Sequence, residues 1–378
     1  MNRLSALRVG FVVPSFDKGG LERVALELYR ACSRRGISAT VFSQSGAFGA
    51  LADEVDPADL VAVCNRHDNF FAEATARRIT TLHYNYSTFQ LREATEAGIR
   101  TIYTIHNYYT WLDDRSFAAR AEIIRAASAV VAVSEGVKRY FEKRANWDGG
   151  RVQVILNGAR FSGQFSTLAP ITPKRGDRPH VFANVASFYR AKHHALLIRA
   201  AEILHQRGLE FSLLLIGGKG DERYEAEIEA RLRKTPAKDC IQKLGFRPHE
   251  ELERILRDEV DTVVMASIQE GGPIAALEAL ALGKRVILTD TGAARDMAVR
   301  MPHLVTVIPC AQDIETLDAN AIERLSRNGD CRNLAPLVDA MAARIAAGPP
   351  SAPPPDTRFP FDMETFEEGH LRLIEGAG

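Results

Sequence analysis

Short, uninterrupted apolar runs that end in polar or glycine-rich loops constrain this chain more than any other feature, because stretches of helical period separate them. "LRVGFVV" (7–13) is the first. A strand apolar at every position is buried on both faces, as in a parallel sheet covered by helices, whereas a half-solvated strand alternates. The loop "PSFDKGG" follows. A helix is then expected over about 20–35, with Leu21, Val24, Ala25, Leu28 and Cys32 on one face and Gly36 as its stop. "ISATVFS", "DLVAVC", "ITTLHYN", "RTIYTIHN" and "SAVVAVSE" read as further strands, and "RVQVILNG" (151–158) closes the round.

A second round follows: strand "HVFANVAS", helix "HALLIRAAEILHQRG", strand "EFSLLLIGG", a helix over 222–234, strand "IQKLG", a helix over 249–257, strand "DTVVMAS", an apolar helix and strand "RVILTD". The expected fold is therefore α/β, with two doubly wound Rossmann-like domains. They would span 1–160 and 180–347, joined by a Gly-, Pro- and Ser-rich linker over 161–179. Residues 348–378 hold a proline-rich segment and a short helix expected to pack back on the first domain.

The 378 residues carry equal numbers of basic and acidic side chains, so no global field points to nucleic acid. Residues 1–160 hold 21 Lys+Arg against 17 Asp+Glu, a tilt that suits contact with an anionic surface. The five cysteines are scattered and never spaced Cys-x-x-Cys, as expected of reduced thiols in a cytosolic protein. No apolar run reaches the eighteen or so residues of a membrane span, and the first residues lack a signal-peptide core. A cytoplasmic protein is expected, soluble or peripheral at the inner membrane face.

In open parallel sheets, ligands bind beyond the carboxyl ends of the strands. Gly19 and Gly20 lie there after the first strand, where a helix start favours a phosphate or simply makes a tight turn. The loop is neither Gly-x-Gly-x-x-Gly nor a Walker sequence, which disfavours dinucleotide and P-loop enzymes. His83 and His106 end apolar strands, and Ser134 is placed to cap a helix. Arg190 and Lys192 follow the first strand of the second round, either as a solvated helix entry or as cations for a leaving diphosphate. In "ASIQEGGPIAALEALALGKRVILTDTG" (266–292), Pro273 reads as the first helical residue and Gly283 as the end. Glu270 precedes the turn and Glu278 lies within the apolar helix; each is either solvated or committed to a partner, because burying a lone carboxylate is costly.

Together these residues resemble glycosyltransferase family 4, the large retaining family of GT-B architecture. Its Glu-x7-Glu motif stands here as Glu270-GGPIAAL-Glu278, its glycine loop and helix as "GGLERVALELYRACSRRGISATVF", and its Thr-x-His strand end as Thr104-Ile105-His106. Its Val-Ser-Glu occupies 133–135 and its Asn-Gly 157–158, so the likeness runs in order along nearly the whole chain. The resemblance implies two domains facing across a cleft. A nucleotide diphosphate-sugar, as co-substrate rather than cofactor, would bind there, mainly against the second domain. Glu278 would hold the donor ribose and Glu270 the sugar hydroxyls. Gly271, Gly272, Pro273 and Ile274 would offer backbone amides. Lys192, Arg190, Gly19 and Gly20 would meet the diphosphate, His106 the sugar, and Phe246 the base.

Two positions depart from the family pattern. Ser187 stands where an arginine is usual, so either Arg190 substitutes from the next turn or donor affinity is weak, and "TGAARDM" lacks the usual glycine. No Asp-x-Asp occurs, in keeping with a metal-independent enzyme. The implied activity is retaining transfer of a sugar to a glycan or lipid-linked glycan acceptor, in bacterial-type cell-surface glycan synthesis, with peripheral membrane contact through the first domain. The alternatives are a nucleotide-sugar epimerase of the same fold and a non-catalytic nucleotide-sugar-binding protein.

Overall fold

The computed structural model describes residues 6–17, 19–159, 178–329, 331–347 and 358–376, and the chain divides into two compact units after Gly158 and again after Asp362. The first unit contains β1 (Arg8–Val13), α1 (Gly20–Arg34), β2 (Ser38–Ser43), β3 (Leu60–Ala62), α2 (His67–Ala76), β4 (Thr81–Asn85) and α3 (Leu91–Glu96). It continues with β5 (Arg100–Ile105), α4 (Asp114–Arg125), β6 (Ala129–Ala132), α5 (Glu135–Ala145) and β7 (Val152–Val154). All its strand pairs are parallel, in the order β3-β2-β1-β4-β5-β6-β7. The chain winds outward from β1 to β3, then returns to the other side of β1 at β4, so the order reverses between β1 and β4.

The apolar runs are buried as their composition requires: Val9, Phe11, Val12, Val13, Phe42, Leu82 and Ile102 are fully buried. Gly10 lies between neighbours that leave no room for a side chain, since a Cβ there would stand 2.7 Å from both Leu82 Cδ2 and Phe42 Cε2. Ser134 caps α5, its hydroxyl accepting from the Val137 amide at 3.2 Å.

The second unit contains β8 (His180–Val185), α6 (His194–Gln206), β9 (Phe211–Ile216), α7 (Glu222–Lys234), β10 (Ile241–Gly245), α8 (His249–Asp258) and β11 (Thr262–Met265). It continues with α9 (Ile274–Ala281), β12 (Arg285–Thr289), α10 (Ala294–Arg300), β13 (Val305–Ile308), α11 (Ala319–Asn328) and α12 (Leu334–Ala346). Its sheet is again wholly parallel, ordered β10-β9-β8-β11-β12-β13, with the reversal between β8 and β11. The core joins Leu196, Leu197, Ala200 and Leu204 of α6 to Leu213, Leu215, Val264 and Ile287 of the sheet and to Leu337 and Met341 of α12. In this unit β13, α10, α11 and α12, which follow "RVILTD", are additions to the elements expected from the sequence. β13 is only four residues long with two of them half-buried, so it carries little of the apolar signal.

Residues 160–177 and 348–357, where the sequence suggests a linker and a proline-rich segment, lie outside the described residues. At the two ends of the second unit, Ala159 pairs with Asp362 in a parallel bridge. The last helix, α13 (Met363–Glu375), belongs to the first unit. It buries Phe366, Leu371, Leu373 and Ile374 there. Burial at roughly 1.5–3 kcal/mol per large apolar side chain is ample to hold a helix of this length. Arg34 of α1 pairs with Glu367 at 2.6 Å, and Arg100 Nε donates to the Leu373 carbonyl at 2.8 Å near its end.

Candidate active site

The reversal of strand order between β8 and β11 opens a position beyond their carboxyl ends that no connection covers, the place where open α/β sheets bind ligands. The chain fills it with two loops. After β8 it forms a short 3-10 turn, Arg190–Lys192, and enters α6 through His193, whose backbone is left-handed at φ 56°. After β11 it runs through Ser267 and Glu270 to the Gly-Gly-Pro turn ahead of α9. The Ile268 amide donates to the Ala191 carbonyl at 2.8 Å, which ties the two loops together.

Lys192 and Glu270 meet there. Lys192 Nζ donates to Glu270 Oε2 at 2.5 Å, and Ser267 Oγ donates to the same oxygen at 3.2 Å. Both side chains are mostly covered, which spares the pair much of the screening that weakens exposed pairs. The backbone of Glu270 is pinned as well: its amide donates to Thr291 Oγ1 at 3.1 Å, and the Thr291 hydroxyl donates to its carbonyl at 3.3 Å. Gly292, left-handed at φ 58°, makes this approach possible, because a Cβ would stand 2.1 Å from the Gly271 carbonyl oxygen and 2.2 Å from that of Glu270. Ser267 is held in turn by Thr289 Oγ1, which donates to its carbonyl at 2.6 Å.

Glu278 lies in the middle of α9 with little exposure, and its Oε1 is 3.9 Å from Nδ1 of His249 at the start of α8. That histidine is a partner the sequence did not reveal. Pro273 is the N-cap of α9, so the helix begins at Ile274, one residue later than expected. As a proline it carries no N–H, so only Gly271, Gly272 and Ile274 of the expected set bear amides. Phe246 follows β10 and is 64% exposed, beside Gly218.

Arg190 is paired within the second unit. Its guanidinium donates to both carboxylate oxygens of Glu227, at 3.0 and 2.8 Å, lies 3.8 Å from Asp221 and sits 5.2 Å over the Tyr224 ring. The hydrogen bonds to Glu227 raise its pKa further. A leaving diphosphate would have to compete with this bidentate carboxylate partner for the guanidinium.

The first unit carries different chemistry at its own strand ends. His106 follows β5, and its Nε2 lies 3.1 Å from Asn85 Oδ1. Burial pushes its pKa down to about 3, so the ring is neutral at physiological pH. Gly19 is the N-cap of α1 without a side-chain cap, and the position its Cβ would take is 2.5 Å from Glu22 Oε2. A diphosphate at this helix start would meet the chain's own carboxylate, whose pKa is raised, first by burial and also by Asp17. Among the described residues no group of three or more His, Cys, Asp or Glu is placed to hold a metal ion, and no helix is long and apolar enough to cross a membrane.

Residues 18–160 match the family model Glycosyltransferase Family 4, and residues 170–333 match Glycosyl transferases group 1. With the two Rossmann-like units, these consecutive matches support a GT-B glycosyltransferase as the class of protein. EpsF of Bacillus subtilis (strain 168) is 28% identical over 189 residues, 48% of each chain. The amylovoran biosynthesis glycosyltransferase AmsK of Erwinia amylovora is 33% identical over 119 residues, 30% of this chain and 28% of that protein. The aligned region thus spans less than half the length of either relative. The structure of Anabaena Alr3699/HepE in complex with UDP shares the fold with a TM-score of 0.67 at 17% identity, covering 98% of this chain and 100% of that one. A glycosyltransferase from Rickettsia africae ESF-5 does so with a TM-score of 0.69 at 18% identity, covering 98% of each.

Proposed function

We propose that this protein is a retaining, metal-independent glycosyltransferase that moves a sugar from a nucleotide diphosphate-sugar to a hydroxyl of a glycan or lipid-linked glycan. The observation that carries this reading is the Lys192–Glu270 pair at the point where the second sheet reverses its strand order. A nucleotide diphosphate-sugar presents the two groups such a pair can divide between them. The diphosphate gains negative charge as the glycosidic bond breaks, and a fixed ammonium stabilises it. The sugar offers hydroxyls, which a carboxylate accepts. Glu278 takes the ribose hydroxyls, and Phe246 offers an exposed ring face to the base. His106, as a neutral ring, is assigned to sugar recognition.

In the proposed reaction the bond from the anomeric carbon to the diphosphate oxygen breaks. The acceptor oxygen bonds to that carbon on the same face, and its proton passes to the departing diphosphate. Complexes of Alr3699/HepE with UDP and UDP-glucose support a uridine diphosphate sugar as the first donor to try. The name of AmsK, an amylovoran biosynthesis glycosyltransferase, supports a role in polysaccharide synthesis; the proposed location is cytoplasmic, with the first unit peripheral to the membrane.

The test is a panel of nucleotide diphosphate-sugars, screened by thermal stabilisation and then assayed in EDTA with and without glycan acceptors. Transfer that requires the acceptor supports the reading. Conversion of donor alone to an isomeric donor would make the protein an epimerase, and stabilisation without turnover would make it a binding protein. Activity abolished by EDTA and restored by a divalent ion would overturn the metal-independent mechanism.

A further inference from the structure

A single chain of hydrogen bonds runs through the first unit from His106 to the C-terminal helix. His106 Nε2 lies 3.1 Å from Asn85 Oδ1, Asn85 Nδ2 lies 3.1 Å from His83 Nδ1, and His83 Nε2 lies 3.1 Å from Nδ1 of His370 on α13. His83, Asn85 and His370 are buried, and the two histidine rings meet edge to face with centroids 5.1 Å apart.

The direction of this chain follows from one further contact. Asn85 Nδ2 also donates to the His83 carbonyl at 3.5 Å, so the amide nitrogen faces β4 and the amide oxygen faces His106. An amide oxygen only accepts and an amide nitrogen only donates. His106 therefore carries its proton on Nε2, and His83 is bare at Nδ1. A neutral His83 then carries its proton on Nε2 and donates it to His370 Nδ1, leaving His370 protonated at Nε2. Thr104 Oγ1, 3.4 Å from His83 Nε2, is a longer second acceptor for the same proton. Protonating His83 or His370 would set two donors against each other at one link. Burial acts in the same sense, holding His83 well below its ordinary value and His370 down to about 3.

We propose that His370 is a positioning residue for His106: by accepting from His83 it keeps the relay running one way and holds His106 as the Nε2–H tautomer with a bare Nδ1. A sugar hydroxyl that reaches His106 then meets a hydrogen-bond acceptor and must donate to it. This rests on the assignment of His106 to the sugar. Without an acceptor at position 370 the opposite polarity becomes competitive. His83 then carries its proton on Nδ1, the Asn85 amide turns over, and His106 carries its proton on Nδ1.

The test uses the ligand-free full chain with 15N-labelled histidines, because bare and protonated ring nitrogens give separate resonances. At neutral pH, His83, His106 and His370 are each expected as a single Nε2–H tautomer. A charged His106, or one protonated on Nδ1, overturns the relay. His370→Phe keeps a ring beside Phe366 but removes the acceptor, whereas His370→Asn retains an acceptor in the place of Nδ1. The loss of one hydrogen bond is expected to shift the His106 tautomer ratio about two- to tenfold in His370→Phe, with kcat falling and donor KM little changed. His370→Asn is expected to restore both. An unmoved tautomer ratio in a folded His370→Phe overturns the proposal. A shifted ratio with unchanged transfer keeps the relay and refutes the assignment of His106 to the sugar. If His370→Phe does not fold, the measurement on the wild-type chain decides.

Discussion

Lys192 and Glu270 are 78 residues apart in sequence and 2.5 Å apart in the fold, and their contact joins the loops that follow the two strands at the reversal of the second sheet. In the ligand-free protein each holds the other in place. In the proposed donor complex, Lys192 would exchange part of this pairing for the diphosphate, and Glu270 for sugar hydroxyls. Lys192→Ala is therefore expected to lower kcat by about a hundredfold, the scale of losing one electrostatic donor to a transition state. Steady-state rates with a folded variant check this, and unchanged kinetics would remove Lys192 from the site.

The two glutamates should separate by binding and turnover. In the proposed site Glu278→Gln would weaken a charge-assisted hydrogen bond to the ribose, and it is expected to raise the Kd for free nucleotide diphosphate about tenfold. Glu270→Gln is expected to leave that Kd near its starting value and to lower kcat, because its contacts matter where positive charge develops on the sugar. Calorimetry with the free nucleotide, alongside rates with the full donor, distinguishes the two. Equal losses of nucleotide affinity with equal turnover would refute the division of roles.

Arg190 is expected to behave as a structural residue. Arg190→Ala leaves Glu227 without its bidentate partner and uncovers the Tyr224 ring, which should cost roughly 1–3 kcal/mol of stability. Denaturant midpoints measure that loss, and kcat of the folded variant should stay within a few-fold of the parent. A large drop in kcat at unchanged stability would return Arg190 to the leaving group.

Gly292 is the backbone support of Glu270. In Gly292→Ala the new methyl group meets two carbonyl oxygens at about 2 Å, which forces the Glu270 turn to move. Gly36→Ala is the control, since Gly36 is also left-handed, at φ 70°, but its Cβ would meet nothing within 4 Å. The control should lose about 1–2 kcal/mol, the cost of a left-handed alanine, and Gly292→Ala clearly more, together with donor-induced stabilisation. Equal losses in the two variants would show that the close approach is unimportant.

Stability should fall with acidification from a pH above 6.5. His106, His194 and His370 are pushed by burial to about 3 and His193 to about 4, all from an ordinary value of 6.5. Between these values the unfolded chain binds protons that the folded chain refuses, so unfolding takes up protons and stability rises with pH. The contribution is complete above about 6.5 and is lost progressively down to about 3. Melting temperatures from pH 7.5 to 5 should therefore decline, and His370→Asn should flatten the slope. A flat profile in the wild-type chain would show that these rings are not buried as neutral groups.

Much of this fold is legible in the sequence because its signals are local. An apolar run such as Val9–Val13 cannot be solvated on either face, and a parallel, covered sheet is what buries it. The spacing of Glu270 and Glu278 around a Gly-Gly-Pro turn likewise marks a helix start with an acid on each side of it. The four-residue strand Val305–Ile308 shows no period in the sequence because a short, half-covered segment has too few apolar positions.

Local pattern determined the elements, their parallel stacking and the residue types at the strand ends. Which of those residues work together was decided only by tertiary packing. Arg190 and Lys192 share one turn and one charge, yet the fold gives Arg190 to Glu227, 37 residues away, and Lys192 to Glu270, 78 away. His83 reads as the end of a strand until α13 brings His370 against it from 287 residues further on. The physical reason is the same in each case. A charge or an imidazole takes its protonation state and its role from the groups within a few ångströms, and chain order alone does not say which groups those are.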